Sequence, residues 1–203
     1  MVEEKLRSKI ARDLHDEMGS TLTSINIISK VAMQQSGDDE KINQHLGKIK
    51  DNSSRMMESM SDMVWAINPS NDTFEKVALR MKEFAAELLE PAGINYFFRE
   101  EGQMEKAVLN PEQRKDIYLI FKEALNNAVK YSAASEIDIL LKKENGFVIM
   151  RVMDNGKGFD MVNYKSGNGI KNIKSRGLQM KAVVTIDSIP GTGTTISLQV
   201  PVT

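Results

Sequence analysis

The chain has 203 residues, 41% of them hydrophobic, and its 27 basic and 28 acidic residues give a formal net charge of -1. This length allows one sizeable domain or two small ones, and the mixed charges lack the basic footprint of a nucleic-acid-binding protein. Because the chain contains no cysteine, disulfides, thiolate metal sites and cysteine nucleophiles are excluded.

The sequence predicts no membrane segment. No run approaches the ~18 consecutive apolar residues that a spanning helix needs, and the first residues, MVEEKLRSK, lack the apolar core of a signal peptide. The lack of cysteine is compatible with a reducing compartment, so we expect the chain to reside in the cytoplasm.

Two amphipathic helices are predicted for the first third of the chain. Apolar residues recur every three or four positions over 3–35 and again over 42–67, which gives one apolar stripe on each helix. The Ser-Gly-Asp-Asp run at 36–39 separates them, and Pro69 ends the second helix because the residue before proline disfavours helical conformation. Since two such helices bury little alone, we expect residues 1–68 to form a four-helix bundle with a second copy of the chain.

Residues 74–203, after a predicted linker at 69–73, alternate between helix and strand patterns. We expect a mixed sheet with helices on one face, so the whole chain is an α+β protein in which a helical hairpin precedes an α/β sandwich. Helices are predicted from Phe74, from Pro111 with Asn110 as its cap, and near 169–180. Strands are predicted at 94–98, 136–142, 147–153, 183–186 and 195–200.

A polar line on the helix EALNNAVKY suggests a metal and phosphate site. Glu123, Asn127 and Lys130 are spaced by four and three residues, which places them on one helical face. A carboxylate, an amide oxygen and an ammonium in one line can serve a hydrated Mg²⁺ ion that carries phosphates. A solvated helix face explains the same pattern, and this helix alone favours that interpretation.

Glycines then recur in a characteristic order. Asp154 ends a strand, where it can accept a hydrogen bond from the amine of adenine, and Gly156 and Gly158 let the backbone approach a ligand. The Gly-Asn-Gly run at 167–169 opens a helix whose free N–H groups suit phosphate oxygens, and the Gly-Thr-Gly-Thr run at 191–194 precedes the last strand. Each turn alone is weak evidence, but four such elements in this order are much more specific.

The segment 112–201 resembles the ATP-binding domain shared by histidine kinases, gyrase, the ninety-kilodalton heat-shock chaperone and mismatch-repair ATPases, the GHKL type. EALNNAVKY resembles its N box, DNGKGFD its G1 box, GNGIKNIKSRG its G2 box and GTGT its G3 box. Tyr131 stands where many relatives have histidine, and the lid at 160–168 is short. The resemblance implies that Asn127 ligates Mg²⁺, that Asp154 contacts the adenine amine with support from Thr194, and that the phosphate and lid loops are shaped by Gly156, Gly158, Gly167 and Gly169.

The block IARDLHDEMGSTL offers a phosphoryl acceptor. The imidazole of His15 titrates near pH ~6.5, so a neutral, nucleophilic nitrogen is available at cytosolic pH. Asp16 is the candidate acid for holding the other ring nitrogen and assisting proton removal. A helical His-Asp pair taken alone is more often an exposed surface feature, and His45, which lacks an adjacent acid, is assigned to the surface.

RDLHDEMGSTL resembles the phosphoacceptor box of sensor histidine kinases, in the subfamily that senses nitrate or membrane fluidity. The resemblance implies a homodimer that autophosphorylates His15 from ATP, with Asp16 and Glu123 assisting, and then donates the phosphoryl group to a response-regulator receiver domain. It also implies that the chain is a cytoplasmic protein or the cytoplasmic part of a membrane-anchored sensor. Ser20 stands where many relatives have glutamine, so phosphatase activity is not implied.

Two alternatives remain at the level of sequence. One is an ATP-dependent conformational switch of the GHKL type that hydrolyses ATP without a phosphohistidine, for which the His15 block has no purpose. The other is a non-catalytic dimerisation module with a degenerate pocket. Loss of Asn127 or Asp154 would be typical of the second alternative, and both residues are present.

Overall fold

The computed structural model describes residues 18–32, 39–68, 71, 73–103, 107–161 and 167–202. By its internal contacts the chain divides into two compact units, Met1–Asn68 and Pro69–Thr203. In the described ranges, no helix combines the length and the apolar character that crossing a bilayer requires.

The first unit contains two helices, α1 (18–32) and α2 (Asp39–Ile67). The amide of Asn52 on α2 donates to the hydroxyl of Ser24 on α1 at 3.4 Å, which joins the two helices. A glycine inside a helix often allows another segment to approach closely. A Cβ added to Gly19 would meet no described atom within 4 Å, so no described segment approaches α1 closely at this position.

The described part of the second unit contains three α-helices, one π-helical turn and five strands. A short antiparallel bridge between Thr73 and Val108 lies outside the strands. In chain order the elements are α3 (Phe74–Leu89), β1 (Asn95–Glu101), α4 (Pro111–Asn127), the π turn (Ala128–Ser132), β2 (Glu136–Glu144), β3 (Phe147–Asp154), α5 (Asn168–Gln179), β4 (Val183–Ile189) and β5 (Gly193–Pro201).

The five strands form one mixed sheet in the order β1-β2-β3-β5-β4. β1 runs parallel to β2, and the other neighbours are antiparallel. Alternate residues of the inner strands, such as Ile139, Met150 and Leu198, are buried, whereas their neighbours on the other face are more exposed. The rings of Phe98 in β1 and Phe121 in α4 pack edge to face, with their centroids 6.4 Å apart. The predicted mixed sheet with helices on one face is confirmed.

All five strands extend past the residues that their sequence patterns predict. The largest additions, in β1, β4 and β5, include the mostly polar and glycine residues at 99–101, 187–189 and 193–194. Each added residue has a ladder partner on the neighbouring strand, so backbone pairing carries the strand beyond the residues that favour it intrinsically.

The start of α4 follows the predicted cap. The Asn110 side chain accepts a hydrogen bond from the N–H of Gln113 at 2.9 Å, and the Gln113 side chain accepts one from the N–H of Asn110 at 3.0 Å. The Gln113 amide also donates to the carbonyl of Pro201 at 3.0 Å. This capping box therefore fixes the beginning of α4 and ties it to the end of β5.

A buried ion pair joins α4 to α5. Asp116 is fully buried, and one of its carboxylate oxygens accepts a hydrogen bond from Arg176 at 2.8 Å, with Lys115 3.9 Å away. Burial raises the pKa of Asp116 above its ordinary value, while Lys115 and Arg176 act in the opposite direction. The pair holds the last turn of α5 against α4.

We expect Asn110→Ala to lower the free energy of unfolding by about 1 kcal/mol, because α4 loses its cap. Urea denaturation followed by circular dichroism measures this change. Asn110→Asp keeps an acceptor at the same position and is expected to retain most of the stability. Equal stability of Asn110→Ala and the parent would show that the cap contributes nothing.

We expect Arg176→Met to destabilise the fold by about 2 kcal/mol near pH 7, since it leaves the buried Asp116 carboxylate without its closest partner. The figure is below that for a fully buried pair because the Arg176 side chain is 34% exposed. Because the pKa of Asp116 is raised, the charged form is the destabilising one, so the loss should shrink as the pH falls and the carboxylate protonates. Denaturation curves at several pH values test this, and a loss that grows toward acid pH would contradict it.

Candidate nucleotide site

A cleft of about 640 Å³ lies where α4, the start of α5 and the ends of β3, β4 and β5 meet. It brings together seven of the site residues predicted from the sequence, although these are up to 71 positions apart along the chain. The predicted residues that line it are Glu123, Asn127, Asp154, Gly158, Gly167, Gly169 and Thr194.

Glu123 and Asn127 reach the cleft because α4 is amphipathic. Phe121, Ala124 and Leu125 are buried on the core side of the helix, which leaves Glu123 and Asn127 one turn apart on the side of the cleft. Both side chains are half-buried. An acidic and an amide oxygen donor are thus held on one rigid element.

The π turn changes which residue follows Asn127 along the cleft. The predicted alignment of Lys130 assumes regular α-helical spacing, but Ala128–Ser132 forms a wider π turn that ends at Ala133 in left-handed conformation. Lys130 does not line the cleft, whereas Tyr131 does, with 65% of its surface exposed. The structure thus places Tyr131, and not Lys130, in the cleft lining, and a phosphate-binding role of Lys130 stays a prediction.

Asp154 presents a carboxylate at the base of the cleft. It is the last residue of β3, is 8% exposed, and accepts a hydrogen bond from the N–H of Gly156 at 2.9 Å. Burial raises its pKa, and the backbone N–H groups of Gly156 and Thr194 oppose that shift by stabilising the charged form. The two N–H donors fix a hydrogen-bond acceptor where a base amine could reach it.

Gly156 and Gly158 are required by the protein backbone itself. A Cβ on Gly156 would collide with the carbonyl of Ser132, and one on Gly158, whose φ is +58°, with the carbonyl of Ile189. Between them, the N–H of Lys157 donates to the carbonyl of Ser132 at 2.8 Å. The sequence interpretation assigned these glycines to close approach of a ligand, but the structure shows close approach of neighbouring backbone. Gly156 itself does not line the cleft.

The first turn of α5 closes the other end of the cleft. Gly167 is the N-cap and brings no side chain to cap the helix, and the first-turn N–H groups suit an anion. Gly169 lies directly against the carboxylate of Glu123 and the amide of Asn127, since a Cβ there would collide with the former and crowd the latter. The two candidate metal ligands and the candidate phosphate-binding helix terminus are therefore adjacent.

This donor set fits Mg²⁺. In the described ranges, no three His, Cys, Asp or Glu side chains cluster as they would in an all-protein metal site. Mg²⁺ is usually held by one or two carboxylate or amide oxygens together with water and substrate phosphates, which is what Glu123 and Asn127 beside α5 can supply.

Several cleft residues are missed by the sequence analysis. Lys157 stands within the G1 box and brings a cation, while Ile186 and Ile196 supply apolar walls from β4 and β5. The alternation of β4 and β5 predicts that both isoleucines are buried, but only the sheet order brings them beneath the cleft.

His15 and Asp16 lie outside the described residues. His45, which is assigned to the surface from its sequence context, lies on α2 and is half-buried. The structure thus gives the geometry of the nucleotide cleft, and the role of the His15 block stays a prediction.

Two glycine substitutions should separate fold from binding. Gly158→Ala meets backbone at positive φ and is expected to cost about 2 kcal/mol of unfolding free energy. Gly169→Ala meets the flexible end of Glu123, so it should fold normally and bind a fluorescent ATP analogue several-fold more weakly. Gly47→Ala on α2, where an added Cβ meets nothing, is the matched control. Undiminished binding by Gly169→Ala would contradict the importance of the Glu123 position.

Two family models match the chain. The model described as "Histidine kinase" matches residues 7–72, and the model described as "Histidine kinase-, DNA gyrase B-, and HSP90-like ATPase" matches residues 112–203. The first includes the predicted phosphoacceptor block, and the second includes all the glycine segments that surround the cleft.

Curated sensor histidine kinases match the chain over half or nearly all of its length. The sensor histidine kinase LiaS of Bacillus subtilis is 27% identical over 97% of this chain and 54% of its own length. The histidine-protein kinase/phosphatase DegS of the same organism is 35% identical over 49% of this chain and 27% of its own length. The chain spans about half the length of the curated relatives it matches over nearly all of its residues.

Solved histidine kinases share the fold. The Acinetobacter baumannii histidine kinase AdeS has a TM-score of 0.59 at 14% identity, over 91% of this chain and 96% of AdeS. The histidine kinase domain of the Erythrobacter litoralis blue-light activated kinase has a TM-score of 0.57 at 15% identity, over 97% of this chain and 94% of that domain. The two family models in this order, the relatives over nearly the whole chain and the shared fold lead to one conclusion: the chain belongs to the sensor histidine kinase family.

Proposed function

We propose that this chain is the catalytic core of a sensor histidine kinase, which phosphorylates His15 from ATP and then passes the phosphoryl group to a response regulator. The observation that carries the proposal is the meeting of Asp154, the Glu123–Asn127 pair and the first turn of α5 in one cleft. In this proposal Asp154 accepts a hydrogen bond from the adenine amine, Glu123 and Asn127 hold the metal ion, and the first turn of α5 binds the phosphates.

ATP would lie with adenine toward Asp154 and Thr194, against the paired Ile186 and Ile196, and with its phosphates toward the first turn of α5. Glu123 and Asn127 would hold Mg²⁺, which neutralises charge on the phosphates. Lys157 adds a positive side chain to the same cleft. Catalysis would rest on positioning and charge neutralisation, because phosphoryl transfer needs little covalent chemistry from the protein.

In the transfer step, the bond between the γ-phosphorus and the bridging oxygen of ADP breaks, and a bond forms between that phosphorus and a ring nitrogen of His15. The imidazole proton leaves to a carboxylate, for which Asp16 is the candidate, while Glu123 stays with the metal. The phosphohistidine would then donate its phosphoryl group to an aspartate of a receiver domain. The linker at 69–73 would act as the hinge that lets the N-terminal helices and the ATP-binding domain separate between the two steps.

Dimerisation through α1 and α2 is part of the proposal. Leu22 and Leu46 belong to the apolar stripes of these helices and are each 52% exposed in the single chain. A second copy would cover them in a four-helix bundle.

One observation favours the alternative of an ATPase without a phosphohistidine. The described cleft is formed entirely by residues between Glu123 and Ile196, so ATP could be bound and hydrolysed without the N-terminal helices. Such a protein would release phosphate steadily and would never carry label itself.

Incubation with γ-labelled ATP and Mg²⁺ is expected to give an acid-labile, alkali-stable phosphoprotein. His15→Gln should abolish the label, because the acceptor nitrogen is removed while the cleft is unchanged. His45→Gln is the matched control and should be labelled like the parent.

Persistent label on His15→Gln would refute the assignment of the acceptor. Phosphate release without any labelled protein in the parent would favour the ATPase alternative. Mixed dimers, with His15→Gln in one protomer and Asn127→Ala in the other, should regain label only when phosphorylation runs between subunits.

A further inference from the structure

The hydroxyl of Ser188 lies behind the nucleotide cleft, where β4, β5 and the loop after β3 meet. It accepts a hydrogen bond from the N–H of Phe159 at 2.9 Å and donates one to the carbonyl of Gly193 at 3.2 Å. It also lies 2.9 Å from the hydroxyl of Thr194. Ser188 is half-buried and does not line the cleft, whereas Phe159 and Thr194 both do.

Either hydroxyl could donate between Ser188 and Thr194, but only one direction satisfies all three contacts of Ser188 at once. A serine hydroxyl has one proton and two acceptor sites. The proton is directed to Gly193, and one acceptor site is taken by the N–H of Phe159. Only an acceptor site remains for Thr194, so the Thr194 proton points to Ser188 and the Thr194 oxygen offers its lone pairs to the cleft.

The neighbouring group in the cleft has the same polarity. Asp154 pairs with Thr194 in the β3–β5 ladder, and its carboxylate accepts backbone N–H groups from Gly156 and Thr194. The inner end of the cleft therefore presents two hydrogen-bond acceptors side by side. The two hydrogens of a 6-amino group can satisfy both acceptors, whereas a 6-oxo group donates none and leaves only the neighbouring N1–H to pair with one of them.

We propose that Ser188 is a positioning residue that holds the Thr194 hydroxyl as an acceptor and thereby makes the cleft select 6-amino over 6-oxo purine nucleotides. The proposal rests on the proposed nucleotide function and adds to it a residue that the nucleotide does not touch. Ser188 acts through Thr194, so its removal should change selectivity rather than abolish binding.

The test compares binding of ATP with binding of inosine triphosphate, which differs in carrying a 6-oxo group, by displacement of a fluorescent ATP analogue. The parent should prefer ATP, and Ser188→Ala should reduce that preference roughly fivefold, the value of about one neutral hydrogen bond. Ser188→Thr keeps the hydroxyl and should restore the preference. Ser197→Ala, on the opposite face of β5 between buried Ile196 and Leu198, is the matched control and should change nothing.

A second variant tests the route of the effect. Thr194→Val removes the proposed acceptor with little change in shape, and it should lower the ATP preference by about as much as Ser188→Ala. The double variant should show no further loss, because Ser188 acts through Thr194. Independent, additive losses would overturn the proposal, and Thr194→Val alone decides it if Ser188→Ala does not fold.

The remaining outcomes separate this proposal from the proposed function. Equal weakening of ATP and inosine triphosphate in Ser188→Ala would show that the serine only supports the loop at Phe159, and would overturn the selectivity role while leaving the kinase proposal intact. A parent that binds both nucleotides equally would overturn the selectivity role as well. A folded parent that binds neither nucleotide would overturn both proposals.

Discussion

The antiparallel pairing of β3 with β5 is the constraint on which the cleft depends. It sets Asp154 opposite Thr194, so that one strand end supplies the carboxylate and the other supplies both a backbone donor and a hydroxyl. The approach is so close that a Cβ on Gly193 would collide with the carbonyl of Asp154. Because side chains alternate along strands, a one-residue shift of β5 along β3 would turn the Thr194 side chain to the other face of the sheet, away from Asp154.

The rest of the cleft is assembled on this strand pair by backbone contacts. The loop at 155–159 is held on one side by Ser132 of the π turn and on the other by the N–H of Gly191, which donates to the carbonyl of Lys157 at 2.7 Å. The side-chain oxygen of Asn155 accepts hydrogen bonds from the N–H groups of Ser135 and Glu136, each 3.0 Å long. A loop fixed at so many points can hold polar groups in place without a ligand, which reduces the entropy lost on binding.

α4 and α5 provide the charged end of the cleft in a different way. α4 uses one face for the core and the other for Glu123 and Asn127, and the ion pair between Asp116 and Arg176 sets α5 beside it. A buried ion pair contributes little net stability compared with apolar packing, but it specifies one arrangement of two helices. In this molecule that arrangement brings the first turn of α5 against Glu123, where phosphate and metal would meet.

The sequence by itself determined the two-part organisation, the mixed sheet with one covered face, the cap at Asn110 and most of the residues around the cleft. These follow from local signals, namely periodicity, turn residues and glycine-rich motifs, which act over a few neighbouring positions. Only the tertiary structure decided that Tyr131 rather than Lys130 lines the cleft. It also decided that neighbouring backbone leaves no room for a side chain at Gly156 and Gly158, and that the Ser188 hydroxyl contacts that of Thr194. The π turn, the backbone contacts of the glycines and the hydrogen bond between Ser188 and Thr194 are all set by packing between elements. Such packing produces no periodic pattern in the sequence, so the sequence alone does not predict it.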